Sequence, residues 1–390
     1  MIRVLWRLPP PGVWMGGVAY FRNLLEALLS LPARTVEPVL QGPATDWPGA
    51  LGRQPAIPGY EVPGAWSVRD LRHRLETRLL GRGRDFDRYL RRHGIRLLSH
   101  QATPGRPTRV PFLYWIPDFQ HRHLARFFPP EEIAARIRKD NHWVACARKV
   151  LLSSETARED YNRFHPEHAA KAVVLRFVAA PPAEAELPRP EAVLAKHGIH
   201  EPFFHVPNQV WAHKNHGLVL DALNVLRQQG LRPLVISTGL AGDRRDPGYC
   251  EALTAKIAAA GLGARYRFLG MIDYPEVCVL MRRAVALINP SLFEGWSTTV
   301  EEAKSLGKRL LLSDLPVHRE QAPGLGLFFD PHDPAGLAER MAGVWNDQDP
   351  ARDRLQMQQA QAALPGRIRE FGREYERIVK AVVAQPAGNS

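Results

Sequence analysis

The chain has 390 residues, 45% of them hydrophobic, which is enough for two cores rather than one. Its 52 lysines and arginines exceed its 40 acids and leave a net charge of +12, but no nucleic-acid reader motif or aromatic platform accompanies them, so a nucleic-acid partner is not expected. No apolar run is long enough to span a bilayer, the start carries no secretory core or cleavage site, and Cys146, Cys250 and Cys278 lie too far apart for a metal or redox motif, which together indicate a reduced, cytoplasmic protein.

Ile2 to Leu8 reads as a strand, Gly12 to Gly17 as a loop, and Val18 to Leu31 as a helix with Phe21, Leu24, Leu25 and Leu28 on one face. Between Val68 and Arg96 ten arginines face four acids, in two short amphipathic helical stretches, 68–80 and 86–93. Strands are expected at Gly94 to Ser99, Val110 to Ile116, His142 to Cys146, Lys149 to Ser153 and Ala172 to Phe177. Ala179 to Pro190, dense in proline, reads as a linker. The pattern then restarts with a strand at Phe203 to Pro207 and a helix at Asn215 to Gln229. Strands follow near Pro233 to Thr238, Tyr266 to Leu269, Val285 to Asn289, Arg309 to Ser313 and Leu325 to Phe329. The class is α/β with two doubly wound domains, 1–178 and 201–366, a linker at 179–200, and a last helix from 367 that crosses back to the first domain and ends in a short disordered tail by residue 390.

The stretch Ser291-Leu-Phe-Glu-Gly-Trp-Ser-Thr-Thr-Val-Glu-Glu-Ala303 carries the most chemistry. It places Glu294 in a loop beside Gly295 and Glu302 eight positions later on a helix that Ser297, Thr298 and Thr299 start. Such an arrangement suits a nucleotide-sugar: free N–H groups at a helix N-terminus hold the diphosphate, and flanking carboxylates accept hydroxyls of the rings on either side. Thr298 with Glu301, or Thr299 with Glu302, also fits a capping box, in which case a glutamate only ties off the helix. The helix stops at Gly307 and Lys308 to Asp314 reads as a buried strand, so the loop sits at the carboxyl edge of a sheet, where ligands bind.

With this stretch the chain resembles glycosyltransferase family 4, the retaining transferases of GT-B fold, in the type found in bacterial cell-surface polysaccharide assembly. The likeness rests on Glu294-x7-Glu302, Gly307 and Ser313 to Glu320, on Val206-Pro-Asn-Gln-Val-Trp-Ala-His-Lys-Asn215, and on Trp115-Ile-Pro-Asp-Phe-Gln-His121 followed by Arg126 to Glu132. It implies two Rossmann-like domains facing a central cleft, and catalysis by Glu294, Lys214 and Asp118. The donor would be bound by Gly16, Gly17, Gln209, Lys214, Gly295, Ser297, Thr298, Thr299 and Glu302. Glu294 would contact the donor sugar, Glu302 the ribose and Lys214 the diphosphate. Gln209 stands where the family usually has an arginine, and Pro117 where many relatives carry a histidine; His100, His121 and His123 are then candidates for that role, while His213 and Asn215 read as structural. The implied donor is a UDP- or GDP-sugar, the acceptor a saccharide or a lipid-linked glycan, with no cofactor beyond the donor.

A retaining transferase without an evident nucleophile fits front-side displacement, in which the departing phosphate oxygen takes the acceptor proton and the protein stabilises charge. The two Asp-x-Asp pairs, Asp85 with Asp87 and Asp347 with Asp349, read as solvated surface acids rather than metal ligands. The basic stretch of the first domain offers contact with anionic lipid, against an ordinary solvated face as the plain alternative. Two other functions share the shell: a sugar-nucleotide epimerase, which would consume donor without acceptor, and a non-catalytic surface-binding protein, against which intact Lys214, Glu294 and Glu302 argue.

Overall fold

The computed structural model describes residues 1–7, 15–42, 52–58, 60, 84–100, 108–243, 245–322 and 324–385. The arginine-rich stretch 68–83, residues 12–14 of the loop expected before α1, and the expected tail lie outside the described residues. Through residue 178 the elements are β1 (Ile2–Trp6), α1 (Met15–Leu29), β2 (Val36–Gln41), β3 (Ala56–Ile57), α2 (Arg84–Arg92), β4 (Ile95–His100), β5 (Phe112–Ile116), α3 (Gln120–His123), α4 (Pro130–Cys146), β6 (Lys149–Leu152), α5 (Glu155–Phe164) and β7 (Ala172–Val174). After it come α6 (Pro190–Lys196), β8 (Phe203–Val206), α7 (His216–Gln228), β9 (Leu234–Ser237), α8 (Tyr249–Ala259), β10 (Tyr266–Phe268), α9 (Tyr274–Arg283) and β11 (Leu287–Asn289). The chain closes with α10 (Thr298–Leu306), β12 (Leu310–Ser313), α11 (Pro316–Gln321), β13 (Gly326–Phe329), α12 (Pro334–Asn346) and α13 (Pro350–Ala384). Two compact units result, one of Met1–Asp118, Ala134–Val178 and Gly366–Ser390, the other of Phe119–Ile133 and Ala179–Pro365.

In the first unit seven parallel strands run in the order β3-β2-β1-β4-β5-β6-β7. Every residue of β5 is buried, as helices on both faces of a parallel sheet require. Strands β2 and β3 were not foreseen: β2 is short and interrupted by Pro38, and it holds its place by pairing with β1. Helix α1 starts earlier than expected, because buried Gly17 and Tyr20 extend the stripe of Phe21, Leu24, Leu25 and Leu28 by one turn. Gly16 and Gly17 therefore lie inside its first turn rather than in a loop. The strand expected at His142 to Cys146 is instead the last turn of α4, whose start carries Glu131 and Glu132. Its β-prone Trp143 packs edge-on against Phe112 at 5.6 Å, so tertiary packing overrides local preference.

Two readings of acidic and basic residues change as well. Asp87 is buried, not solvated, and accepts from Thr108 Oγ1 at 2.5 Å and Arg109 N–H at 3.1 Å. Asp85 pairs with Arg88, and Asp347 and Asp349 are exposed, the latter accepting from the N–H groups of Ala351 and Arg352 as α13 begins. On α2, Arg88, Arg91 and Arg92 are exposed, but Phe86 and Leu90 are core residues and are not available to a lipid surface. The end of α13 belongs to this unit: Trp6 Nε1 donates to Tyr375 Oη at 2.9 Å, Tyr375 donates to Ser99 Oγ at 3.0 Å, and Glu376 accepts from the N–H groups of Thr35 and Val36.

In the second unit six parallel strands run β10-β9-β8-β11-β12-β13. One apolar layer joins α7 and α12 to the sheet through Val219, Leu223, Leu226, Leu337 and Met341. The opposite layer packs Val279, Leu280, Val300 and Ala303 with Val193 of α6, so the expected linker 179–200 contributes a core residue. The chain leaves β8 toward β9 on one side and β11 toward β12 on the other. The crevice beyond the carboxyl ends of β8 and β11 is therefore the topological switch point, the place in such sheets where ligands bind.

Candidate functional site

Lys214 and Glu294 come from the loops that leave the two strands flanking this switch. After β8 a single 3-10 turn, Ala212–Lys214, leads to Asn215, which adopts a left-handed conformation (φ 57°) before α7 begins. The Asn215 amide donates to the carbonyls of Pro290 at 3.2 Å and Pro331 at 2.9 Å, and Leu292 N–H donates to the His213 carbonyl at 2.8 Å. These bonds fasten the Lys214 turn to the loop after β11. Lys214 Nζ then lies 2.6 Å from Glu294 Oε1, with 15% and 10% of the two side chains exposed.

Burial pushes the Glu294 carboxyl up, but the Lys214 ammonium, His318 and the Ser291 hydroxyl more than offset that and hold it at about 2. Glu294 is therefore a carboxylate at any physiological pH. The Ser291 hydroxyl lies 2.7 Å from both Glu294 Oε1 and Asn289 Oδ1. Asn289 in turn donates to Ser297 Oγ at 2.9 Å, and Asn208 donates to Asn289 Oδ1 at 3.3 Å. This buried polar chain runs from β8 through β11 to the start of α10, and its members fix one another's rotamers.

The cap of α10 is Ser297, whose Oγ accepts from Val300 N–H, so neither threonine closes the capping box considered above. Thr299 Oγ1 is engaged instead with Pro207 O and Asn208 Oδ1. Gln321 of α11 does the work of the box glutamate: its Oε1 accepts Ser297 N–H at 3.0 Å, while its Nε2 donates to Ser297 O at 2.6 Å. Glu301 is buried and paired with Lys304 at 2.7 Å. Glu302, also buried, accepts the Tyr274 hydroxyl at 2.7 Å, which sets the plane of its carboxylate. Gly295 and Thr298 are half-buried in the same loop and helix start.

Gln209 is half-buried, its carbonyl accepting from His216 Nε2 at 3.0 Å. The loops after β8 and β9 approach so closely here that a Cβ on Gly239 (φ +145°) would lie 2.6 Å from Asn208 O and 2.8 Å from Gln209 Cα. Only glycine fits. The second unit thus gathers Gln209, Lys214, Glu294, Gly295, Ser297, Thr298, Thr299 and Glu302 on one sheet edge. Gly16, Gly17 and Asp118 belong to the first unit, at the start of α1 and two residues beyond β5.

Of the candidate histidines, His100 is buried at a left-handed φ of 67°, with its ring nitrogens 2.7 Å from Ser99 Oγ and 2.9 Å from Tyr20 Oη. Burial holds its pKa down to about 3. His121 is buried, and His123 is exposed and stacks on Phe293 at 5.1 Å. The histidine that does stand near Glu294 is His318 of α11, which the residue pattern did not single out beyond its place in the Ser313 to Glu320 block. It is buried, and its Nδ1 donates to the Ser313 carbonyl at 2.8 Å, which leaves Nε2 the unprotonated nitrogen, with no partner among the described residues. Asn289, Gln321 and Tyr274 were likewise not foreseen, since each acts across a gap of many residues that local spacing does not encode.

Residues 194–362 match the family described as Glycosyl transferases group 1. The match covers less than half of the chain and lies within its second unit. A search of curated protein sequences finds no significant match. Among solved structures, a glycosyltransferase from Rickettsia africae ESF-5 aligns with a TM-score of 0.70 at 14% identity, covering 99% of each chain. HepE of Anabaena in complex with UDP-glucose gives 0.65 at 14% identity, over 98% of this chain and 100% of its own. WaaG, a glycosyltransferase involved in lipopolysaccharide biosynthesis, gives 0.55 at 16% identity, over 99% and 100%. At such identities the likeness establishes the fold, an α/β GT-B architecture of two Rossmann-like units, for the whole length of the chain.

Proposed function

We propose that this protein is a glycosyltransferase that moves a hexose-type sugar from a UDP- or GDP-sugar to a saccharide or lipid-linked acceptor, with retention of configuration, in cell-surface polysaccharide assembly. The observation that carries the reading is the Lys214–Glu294 ion pair, 2.6 Å long, at the switch point of the second unit's sheet and beside the N-terminus of α10. A diphosphate there meets the N–H groups of the α10 start and the Lys214 ammonium. Glu294, kept ionised, accepts hydroxyls of the sugar, and Glu302, oriented by Tyr274, accepts those of the ribose. That HepE is solved with UDP-glucose supports a uridine donor, and the WaaG likeness supports a cell-surface role.

In the proposed reaction the bond between the anomeric carbon and the β-phosphate oxygen breaks as the acceptor oxygen bonds to the same face of that carbon. The released diphosphate takes the acceptor proton, while Lys214 and the helix dipole carry the charge that appears on it. No divalent ion is needed in this scheme. Asp118, Gly16 and Gly17 are assigned a part in donor binding on the family resemblance alone.

The test is thermal stabilisation by UDP, GDP and ADP with and without chelator, followed by proton NMR of the product formed from the matching sugar donor. Retention of the donor's anomeric configuration, insensitive to chelator, is expected; inversion or a strict requirement for a divalent ion would sink the mechanism.

A further inference from the structure

The flank of the Lys214 turn away from Glu294 is held by an arginine that no motif announces. Arg245, in the loop after β9, pairs with Asp243 through Nε at 2.9 Å and Nη2 at 3.1 Å, with 15% of its side chain exposed. Its Nη1 donates to Gln120 Oε1 at 2.9 Å, and its Nη2 faces Nδ1 of His213 at 3.4 Å. The guanidinium also packs on the rings of Phe128 and Trp211, 5.0 and 5.1 Å from their centroids. One side chain thereby joins three segments: residues 119–133, the turn bearing His213 and Lys214, and the loop at 243–245.

His213 is the hinge of this arrangement. It is buried, its carbonyl accepts Leu292 N–H from the Glu294 loop, and because arginine only donates, its Nδ1 must be the accepting nitrogen. Burial, with Lys214 and Arg245 adding to it against Glu294 and Asp243, keeps the ring neutral with a pKa of about 3. Residues 119–133 reach the other half of the site too, since His123 stacks on Phe293, the residue before Glu294. The carboxylate of Asp243 already neutralises Arg245, so this guanidinium is built to hold protein rather than to bind a phosphate of its own.

We propose that Arg245 is a positioning residue: it locks the His213–Lys214 turn to residues 119–133, so that the Lys214 ammonium is presented in a fixed place to a nucleoside diphosphate. The proposal rests on the reading of Lys214 as a diphosphate ligand. A flat, forked cation that bonds along its edge while its face packs on rings is something arginine supplies and lysine does not.

The experiment is calorimetric titration of the full-length protein with UDP, GDP, UMP and GMP, across Lys214→Ala, Arg245→Met, Arg245→Lys, Gln120→Leu and the Lys214→Ala/Arg245→Met double variant. For Arg245→Met we expect diphosphate affinity to fall about 10-fold and monophosphate affinity by less than about 2-fold, with no further loss when Lys214 is already absent. Arg245→Lys should not restore binding, and Gln120→Leu should weaken diphosphate binding in the same direction. Should Arg245→Met fail to fold, Gln120→Leu combined with Lys214→Ala completes the same cycle. Unchanged diphosphate affinity in the folded variants, or losses that add in full with Lys214→Ala, would overturn the positioning role and leave the site reading standing. If the native protein does not prefer diphosphate to monophosphate and Lys214→Ala changes nothing, the site reading falls and the proposal with it.

Discussion

Replacing Lys214 with alanine leaves Glu294 as a carboxylate with little solvent around it, and the consequence for stability can be worked from the structure. The carboxyl, held at about 2 instead of its ordinary 4.5, has its charged form favoured by about 3 kcal/mol over the unfolded chain. Burial opposes that favour, and the Lys214 ammonium is its main source. Removing one partner of a buried pair costs about 3–5 kcal/mol in general, and a pair that retains some exposure belongs at the low end of that range. We expect Lys214→Ala to destabilise the protein by about 3 kcal/mol at pH 7, and the Lys214→Ala/Glu294→Gln double variant to fall short of the summed single losses by about 1 kcal/mol or more.

The pH dependence follows from the direction of the shift. A carboxyl lowered in the folded state stabilises fully above its unfolded value of 4.5, and that contribution is lost as pH falls through about 2. The gap between native protein and Lys214→Ala should therefore narrow below about pH 4.5, as protonation relieves the stranded charge. Urea unfolding followed by tryptophan fluorescence at pH 7 and pH 4 measures both effects. Additive single losses, or a gap that does not change with pH, would refute the idea that the two side chains form one electrostatic unit.

Three further outcomes are expected. Glu294→Gln should lower sugar transfer while sparing affinity for the bare nucleoside diphosphate, and equal loss of both would contradict the assignment of this carboxylate to the sugar. Gly239→Ala should destabilise by about 2 kcal/mol or more, since a side chain at a positive φ meets backbone atoms within 3 Å; a melting temperature within a degree of the native protein's would show that the two loops can part. Binding to anionic vesicles should be weak and salt-sensitive, carried by exposed Arg88, Arg91 and Arg92 without insertion of Leu90, and co-sedimentation indifferent to lipid charge would return these arginines to a solvated face.

What the chain discloses in advance depends on the range over which each residue acts. The strands of the second unit are short apolar runs punctuated by Gly and Pro, and the stop at Gly307 is local too: a left-handed C-cap (φ 67°) whose N–H donates back to the carbonyls of Ala303 and Lys304. Longer-range pairings stay hidden. Lys214 and Glu294 are 80 residues apart, and nothing in either loop announces that they touch. Asp87 looks like a surface acid until Thr108 and Arg109 reach it, and His142 to Cys146 looks like a strand until Trp143 finds Phe112. Arg245 lies in a segment with no periodicity at all, so its role is visible only from the partners that surround it.

Where a nucleotide binds is decisive. A crystal structure of the protein with UDP or GDP, whichever stabilises it more, should show the diphosphate against Lys214 and the N–H groups of Thr298 and Thr299, with the ribose hydroxyls on Glu302. A nucleotide bound away from the carboxyl ends of β8 and β11, or a diphosphate that leaves the Lys214–Glu294 pair untouched, would contradict it.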